Sequence, residues 1–157
     1  MSIEKVKEYL KQFHKSEDII ELSSSSATVQ LAAQALGVEP ARIAKTLSFK
    51  TPEGAVLVVT AGDARIDNKK FKQTFNVKAK MLSPDEVIEY TGHAIGGVCP
   101  FAIEREDVKI YLDESLKHFE TVYPACGSGN SAIKLTLDEL RLCSKAIGFV
   151  DVCQTLI

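Results

Sequence analysis

The stretch Ala55-Val-Leu-Val-Val-Thr-Ala61 limits what this chain can fold into more than any other segment. It carries no charge, is rich in β-branched residues and follows directly on the turn signal Thr51-Pro-Glu-Gly54. A strand with one wet face alternates apolar and polar residues; an uninterrupted apolar run of this length marks a central strand buried on both faces. Leu47 to Phe49 and Val56 to Thr60 are expected to pair across the turn as a hairpin.

The flanking segments supply helices. Ile3, Val6, Leu10 and Phe13 recur at helical spacing, with Ser2 available as N-cap. The Ala/Leu-rich run from Thr28 to Leu36 stops at Gly37, and Pro40 opens a short helical turn that delivers Lys45 and Thr46 to the strand at 47–49. Asp67 caps a predicted helix over 68–75 that puts Phe71 and Phe75 on one face. Ser83, Pro84 and Glu86 begin another, and Thr136 and Glu139 stand in capping-box spacing for a last one. Short strands are expected at 19–22, 108–112, 121–123 and 131–135, and Val150 to Cys153 is apolar enough to dock. Strands and helices intermix without a regular β-α-β alternation, which predicts an α+β fold with a mixed or antiparallel sheet. A length of 157 residues suits a single domain over 1–157 with a core that needs neither disulfides nor metal.

Two Gly-rich turns stand out. Gly92-His-Ala-Ile-Gly-Gly-Val-Cys-Pro-Phe101 packs three glycines and a proline into ten residues, and Tyr123-Pro-Ala-Cys-Gly-Ser-Gly-Asn130 has a similar make-up. Glycine lets a main chain approach a ligand closely, and Pro100 stiffens the first loop. Both are either ordinary connections or, if they lie side by side, the walls of one pocket. Lys45 stands where two elements meet; it is either a solvated lysine or a cation at a pocket rim for a phosphate or carbonyl.

The net charge of −2 rules out a nucleic-acid partner held by the overall field. Residues 65–80 are the exception: Arg65, Lys69, Lys70, Lys72, Lys78 and Lys80 against Asp67 leave a local +5. That stretch is a solvated helix face or a surface for phosphates. The N-terminus lacks the apolar core of a signal peptide and no run approaches a membrane span, so a cytoplasmic protein is expected. Cys99, Cys126, Cys143 and Cys153 show no Cys-x-x-Cys spacing, and the histidines are not paired at ligand intervals, so no metal or other cofactor is expected. The cysteines read as small half-buried hydrophobes, with Cys99 and Cys126 placed to touch a ligand in the Gly-rich turns. A serine elbow, paired carboxylates, a P-loop and a dinucleotide fingerprint are all missing. What remains is a pocket of backbone amides, suited to an ester carbonyl whose oxygen becomes negative, with Lys45, Asp113, Ser128 and Asn130 as polar accents.

Arg42-Ile-Ala-Lys-Thr-Leu47, Gly96-Gly-Val-Cys-Pro100, Val108-Lys-Ile-Tyr-Leu-Asp-Glu-Ser-Leu116 and Tyr123-Pro-Ala-Cys-Gly-Ser-Gly-Asn130 together resemble the YbaK/prolyl-tRNA synthetase-associated editing domains, over roughly residues 20–145. The resemblance implies one α+β domain with a barrel-like mixed sheet. It also implies trans-acting hydrolysis of a mischarged aminoacyl-tRNA without an enzyme nucleophile, by a positioned water or by the substrate's own thiol. By that likeness Lys45 holds the terminal adenosine or its phosphate, and Gly96, Gly97 and Pro100 form the loop against the aminoacyl group. Gly127 and Ser128 close the opposite wall, and Asp113 supports the pocket or orients a polar group. Thr28, Thr46, Cys99 and Cys126 are candidates for contact with the amino acid, which is alanine, cysteine, serine or threonine. Arg65, Lys69, Lys70 and Lys72 would meet the acceptor end of the tRNA, and prolyl-tRNA synthetase is a candidate partner. The competing expectation is a binding or regulatory module that retains the pocket without turning over a substrate.

Overall fold

A computed structural model describes residues 2–154. The central hairpin forms as expected: β2 (Ile43–Thr51) pairs antiparallel with β3 (Gly54–Ala61) along their whole length, Ala44 opposite Ala61 and Thr51 opposite Gly54. Every residue of β3 is buried, which is what its uninterrupted apolar run demands. Ala55 and Leu57 pack into one cluster with Leu82 and Val87, while Val56 and Val58 pack on the other face with Phe49, Phe71 and Val152.

The remaining strands are β1 (Ile20–Glu21), β4 (Val108–Asp113), β5 (Thr121–Pro124), β6 (Ser131–Ala132), β7 (Leu135–Thr136) and β8 (Phe149–Val150). Four of them extend this hairpin both ways, and β1 and β6 pair with each other in a separate two-stranded sheet. The main sheet is six-stranded in the order β7-β5-β2-β3-β4-β8, with parallel β2/β5, β3/β4 and β4/β8 pairs. It curls into a half-barrel. The segment 131–135, read as one strand, is divided in two: β6 pairs with β1 and β7 with β5.

The helices are α1 (Ser2–Leu10), α2 (Val29–Leu36), α3 (Asn68–Phe75), α4 (Pro84–Thr91) and α5 (Leu137–Ser144). Their ends follow the sequence signals. Thr28 accepts from the Leu31 amide, Asp67 from the amides of Lys69 and Lys70, and Ser83 and Thr136 each head a complete capping box. Ser2 differs: it is the first residue inside α1, not its cap. Val6 and Leu10 of α1 and Leu140 of α5 join Val59 and Leu112 in the largest cluster, so one face of the sheet is covered by α1, α4 and α5. The other is covered by α3, whose Phe71 stacks with Phe49 and Phe75 at 4.6 and 4.8 Å between centroids. The C-terminal stretch docks: β8 lies on β4, and Ile66 bridges Cys153.

One irregularity in this sheet positions the site. β5 runs beside β2 only at Ile43 and Ala44, and then turns away as Ala125 bridges Ala132. Further along β2, the segment 80–82 takes over the same edge, with the Leu82 amide on the Ser48 carbonyl at 3.1 Å and the Lys50 amide on the Lys80 carbonyl at 2.8 Å. Between these two partners the edge of β2 pairs with no other strand among the described residues.

Candidate functional site

A cavity of about 250 Å³ occupies that opening. Its floor is β2, from Ile43 to Thr46 and Ser48. One wall is Ser26–Val29 and Ala32, at the start of α2; the others are Met81, Leu82 and Val87, the loop residues Ile95, Gly96 and Val98, and Tyr123, Ala125, Ser131 and Ala132. Successive residues of a strand point to opposite faces, so Thr46 shares a face with Ala44 and Ser48. Main-chain groups alternate too: since Ser48 and Lys50 turn theirs to the 80–82 segment, Thr46 directs its own amide and carbonyl into the gap.

The two Gly-rich turns do lie side by side. A Cβ on Gly97 would stand 2.7 Å from the Gly127 carbonyl carbon and from the Ser128 nitrogen. Only glycine permits that approach. Gly127, at φ +92°, backs in turn onto Ser2. The Gly97 amide donates to the Ala94 carbonyl at 3.0 Å and is therefore engaged inside its own turn. Of the loop residues predicted to meet a substrate, Gly96 is in the cavity wall; Gly97, Gly127 and Ser128 form the joint behind it. Ser128 is held within its turn by Asn130 and Ser131, at 3.0 and 2.6 Å.

Lys45 is the third residue of β2, not a junction residue, and it contributes to the cavity lining. Its ammonium donates to the carbonyls of Gly62 and Ala64, at 3.2 and 2.5 Å. Burial lowers its pKa below the ordinary lysine value. An ammonium has three hydrogens, so one remains for a ligand. Thr28 and Thr46 also line the cavity. The Thr28 hydroxyl is taken up in capping α2. Thr46 Oγ1 and Ser26 Oγ, by contrast, are buried and make no hydrogen bond among the described residues. Each such hydroxyl costs about 1–3 kcal/mol and calls for an explanation.

The other predicted residues are elsewhere. Cys99 and Cys126 are wholly buried in the main core, and burial pushes the Cys99 thiol up to about 12 and the Cys126 thiol well above its usual value. Pro100 faces a separate cleft beside Tyr9 and Arg105. Asp113 is 1% exposed and accepts from the amides of Ser115 and Val152, both at 2.9 Å. It therefore fastens the C-terminal stretch and the 3₁₀ turn over Glu114–His118. Lys69, Lys72 and Arg65 are exposed, whereas Lys70 is tied to Asp151 and to the Cys153 carbonyl.

Sequence reasoning passed over two features. Ser26 was hidden in the run Ser23–Ser26, which reads as a flexible or capping segment; its amide in fact binds the Gly129 carbonyl at 2.7 Å. His93 is 1% exposed. Its Nε2–H donates to the Phe101 carbonyl at 2.8 Å, which leaves Nδ1 to accept from the Ser2 hydroxyl. This neutral imidazole, with its pKa lowered by burial, ties the first Gly-rich loop to itself and to α1.

The curled mixed sheet with its five helices is the fold of the aminoacyl-tRNA editing domains. The profile of that family matches residues 23–143, and the chain belongs to it. Among its relatives is the "Uncharacterized protein YwhH" of Bacillus subtilis (strain 168), 53% identical over 155 residues and covering 98% of each chain. The Enterococcus faecalis "Putative Cys-tRNA(Pro)/Cys-tRNA(Cys) deacylase EbsC" is 32% identical over 115 residues, 72% of this chain and 70% of that one. The structure of a "putative trans-editing enzyme for prolyl tRNA synthetase" superposes with a TM-score of 0.88 at 32% identity, over 98% of both chains.

Proposed function

We propose that this chain hydrolyses the ester of a mischarged aminoacyl-tRNA, acting in trans on a small amino acid carried by tRNA(Pro). The observation that carries this reading is the meeting of Lys45, Gly96 and an unpaired β2 edge at one small cavity. A synthetase pocket separates amino acids that differ by a methylene by only about 1–3 kcal/mol, so a second, smaller sieve is needed to remove errors. The names of EbsC and of the trans-editing relative support tRNA(Pro) as the carrier.

No Cys, His, Asp or Glu lines the cavity among the described residues. The attacking group in this reading is therefore a water, or the thiol of a cysteinyl substrate. Water adds to the ester carbonyl, the carbonyl oxygen becomes negative, and the bond to the ribose oxygen breaks as that oxygen takes a proton. Main-chain donors at the Thr46 edge and the Gly96 wall suit the developing charge. Lys45 offers its remaining hydrogen to the terminal phosphate or adenosine, with Gly62 and Ala64 fixing its position. Gly97, Gly127 and Ser128 act by holding the walls. Arg65, Lys69 and Lys72 receive the phosphates of the acceptor stem.

The test is deacylation of tRNA(Pro) charged separately with alanine, cysteine, serine, threonine or proline, by wild type and by a folded Lys45→Ala variant. Rapid loss of a non-cognate ester with proline spared, and at least a tenfold loss in the variant, is expected. If every ester decays at the buffer rate, the reading fails for tRNA(Pro), and binding without turnover becomes the reading to pursue.

A further inference from the structure

Within the deacylase reading, we propose that the cavity selects an aminoacyl group bearing a β-hydroxyl, serine or threonine, and that Ser26 and Thr46 are the residues that recognise it. These are two buried side-chain oxygens without a hydrogen-bond partner among the described residues, and both belong to the wall of one cavity. They come from separate elements, the segment before α2 and the open edge of β2. Ser26 is 8% exposed. The proposal requires that another staggered χ1 well bring each oxygen to the ligand space.

The rest of the lining decides what should meet them. It is mostly apolar, with Val29, Ile43, Leu82, Val87 and Val98 prominent, and is indifferent among small alkyl groups. An alanyl methyl would leave both hydroxyls unpaired. A substrate hydroxyl can donate to one and accept from the other, and a site built on such bonds discriminates strongly against an analogue that lacks the group. A thiol is a weak donor and a weak acceptor, so a cysteinyl group falls between. The α-ammonium, common to all candidates, is the other group that could fill the position. It is disfavoured there because the lining contains no carboxylate among the described residues. The ammonium is better placed at the solvent-facing mouth.

The experiment measures kcat/KM for seryl, threonyl, alanyl and cysteinyl esters of one tRNA(Pro), with wild type, Thr46→Val and Ser26→Ala. The expected result is a seryl-to-alanyl ratio of at least ten in the wild type, falling about tenfold in each variant. A wild type that prefers alanine, or variants that lower both esters in equal proportion, would overturn the proposal. Binding of non-hydrolysable 3′-seryl-amido and 3′-alanyl-amido adenosine provides a readout independent of turnover. If no ester is hydrolysed, the deacylase reading fails, yet a seryl compound bound ten times more tightly still supports the selectivity, and equal binding defeats it. Thermal melting adds a structural check. Removing a hydroxyl that has no partner should leave Tm unchanged or raised, whereas a fall in both variants would show those hydroxyls bonded within the protein and sink the argument.

Discussion

Gly97→Ala tests whether the contact between the two Gly-rich turns sets the cavity wall. The added Cβ would lie 2.7 Å from Gly127 C and Ser128 N and 2.8 Å from Ser128 Cα, all of them main-chain atoms. Comfortable contact begins near 3.5 Å, so the turns must separate by about 0.8 Å. Overpacking of this kind costs about 1–3 kcal/mol. At about 2–4 °C per kcal/mol for a domain of this size, Tm should fall by about 2–12 °C. Because Gly96 adjoins the displaced residue and forms the wall, a shift approaching 1 Å should also lower deacylation by up to about 10²-fold. Gly148→Ala is the control, since its Cβ would meet nothing within 4 Å; it should be neutral or stabilise by up to about 1 kcal/mol. Gly92→Ala separates backbone strain from crowding: its surroundings are open but its φ is +76°, so it should cost only about 1–2 kcal/mol. A Gly97→Ala protein that melts with the wild type and hydrolyses at the wild-type rate would refute the reasoning.

Further outcomes follow from individual residues. Burial holds His93 neutral with its pKa below the ordinary 6.5, and Lys5 adds a smaller push in the same direction. Below that ordinary value the unfolded chain binds a proton that the native chain refuses, so stability should fall as pH drops, by up to about 1.4 kcal/mol per unit. Urea melts from pH 7.5 to 5 should show this slope, and His93→Gln should flatten it. All four cysteines are buried, with Cys99 and Cys153 pushed up to about 12 and Cys143 to about 11, chiefly by desolvation. Ellman's reagent should therefore label none of them quickly in the native protein and all of them in denaturant; one fast native thiol would contradict the burial. Lys69→Glu and Lys72→Glu should weaken tRNA binding and reduce its salt dependence by about one unit of slope per lost phosphate contact. Lys70→Ala should instead lower Tm, because it removes the contacts to Asp151 and Cys153.

Local chemistry made most elements legible. The caps at Asp67, Ser83 and Thr136 act within three residues of themselves, so the sequence alone located the starts of α3 to α5; Thr28, read as part of its helix, is instead the cap of α2. The apolar run at 55–61 foretold a strand covered on both sides. What the sequence concealed depends on distant partners. Ser131 to Leu135 looks like one strand, but its two ends are claimed by β1 and β5, and no local signal records that division. Cys99 and Cys126 occupy Gly-rich turns, yet the turns face the cavity with one side only, and both thiols lie on the other. Asp113 looks like a polar accent near a site; its two main-chain partners include Val152, 39 residues away. Ser26 gave no signal at all, because a serine in a serine run is ordinary until its surroundings bury it.

These displacements share a cause. The cavity exists because β2 has two successive neighbours on one edge, β5 at Ile43 and Ala44 and the segment 80–82 from Ser48 onward, and neither covers the residues between. An open strand edge inside a protein would ordinarily be a liability, a set of main-chain donors and acceptors without partners. Here it falls where the side chains of Thr46 and Ser26 also find no partner among the described residues, while the cysteines, histidine and carboxylate nearby are engaged in structure. A pocket equipped in this way has little means of attacking an ester itself and ample means of judging one. Its selectivity should therefore respond to the loss of single hydroxyls, and its rate to displacement of the walls that Gly97, Gly127 and Ser128 hold in place.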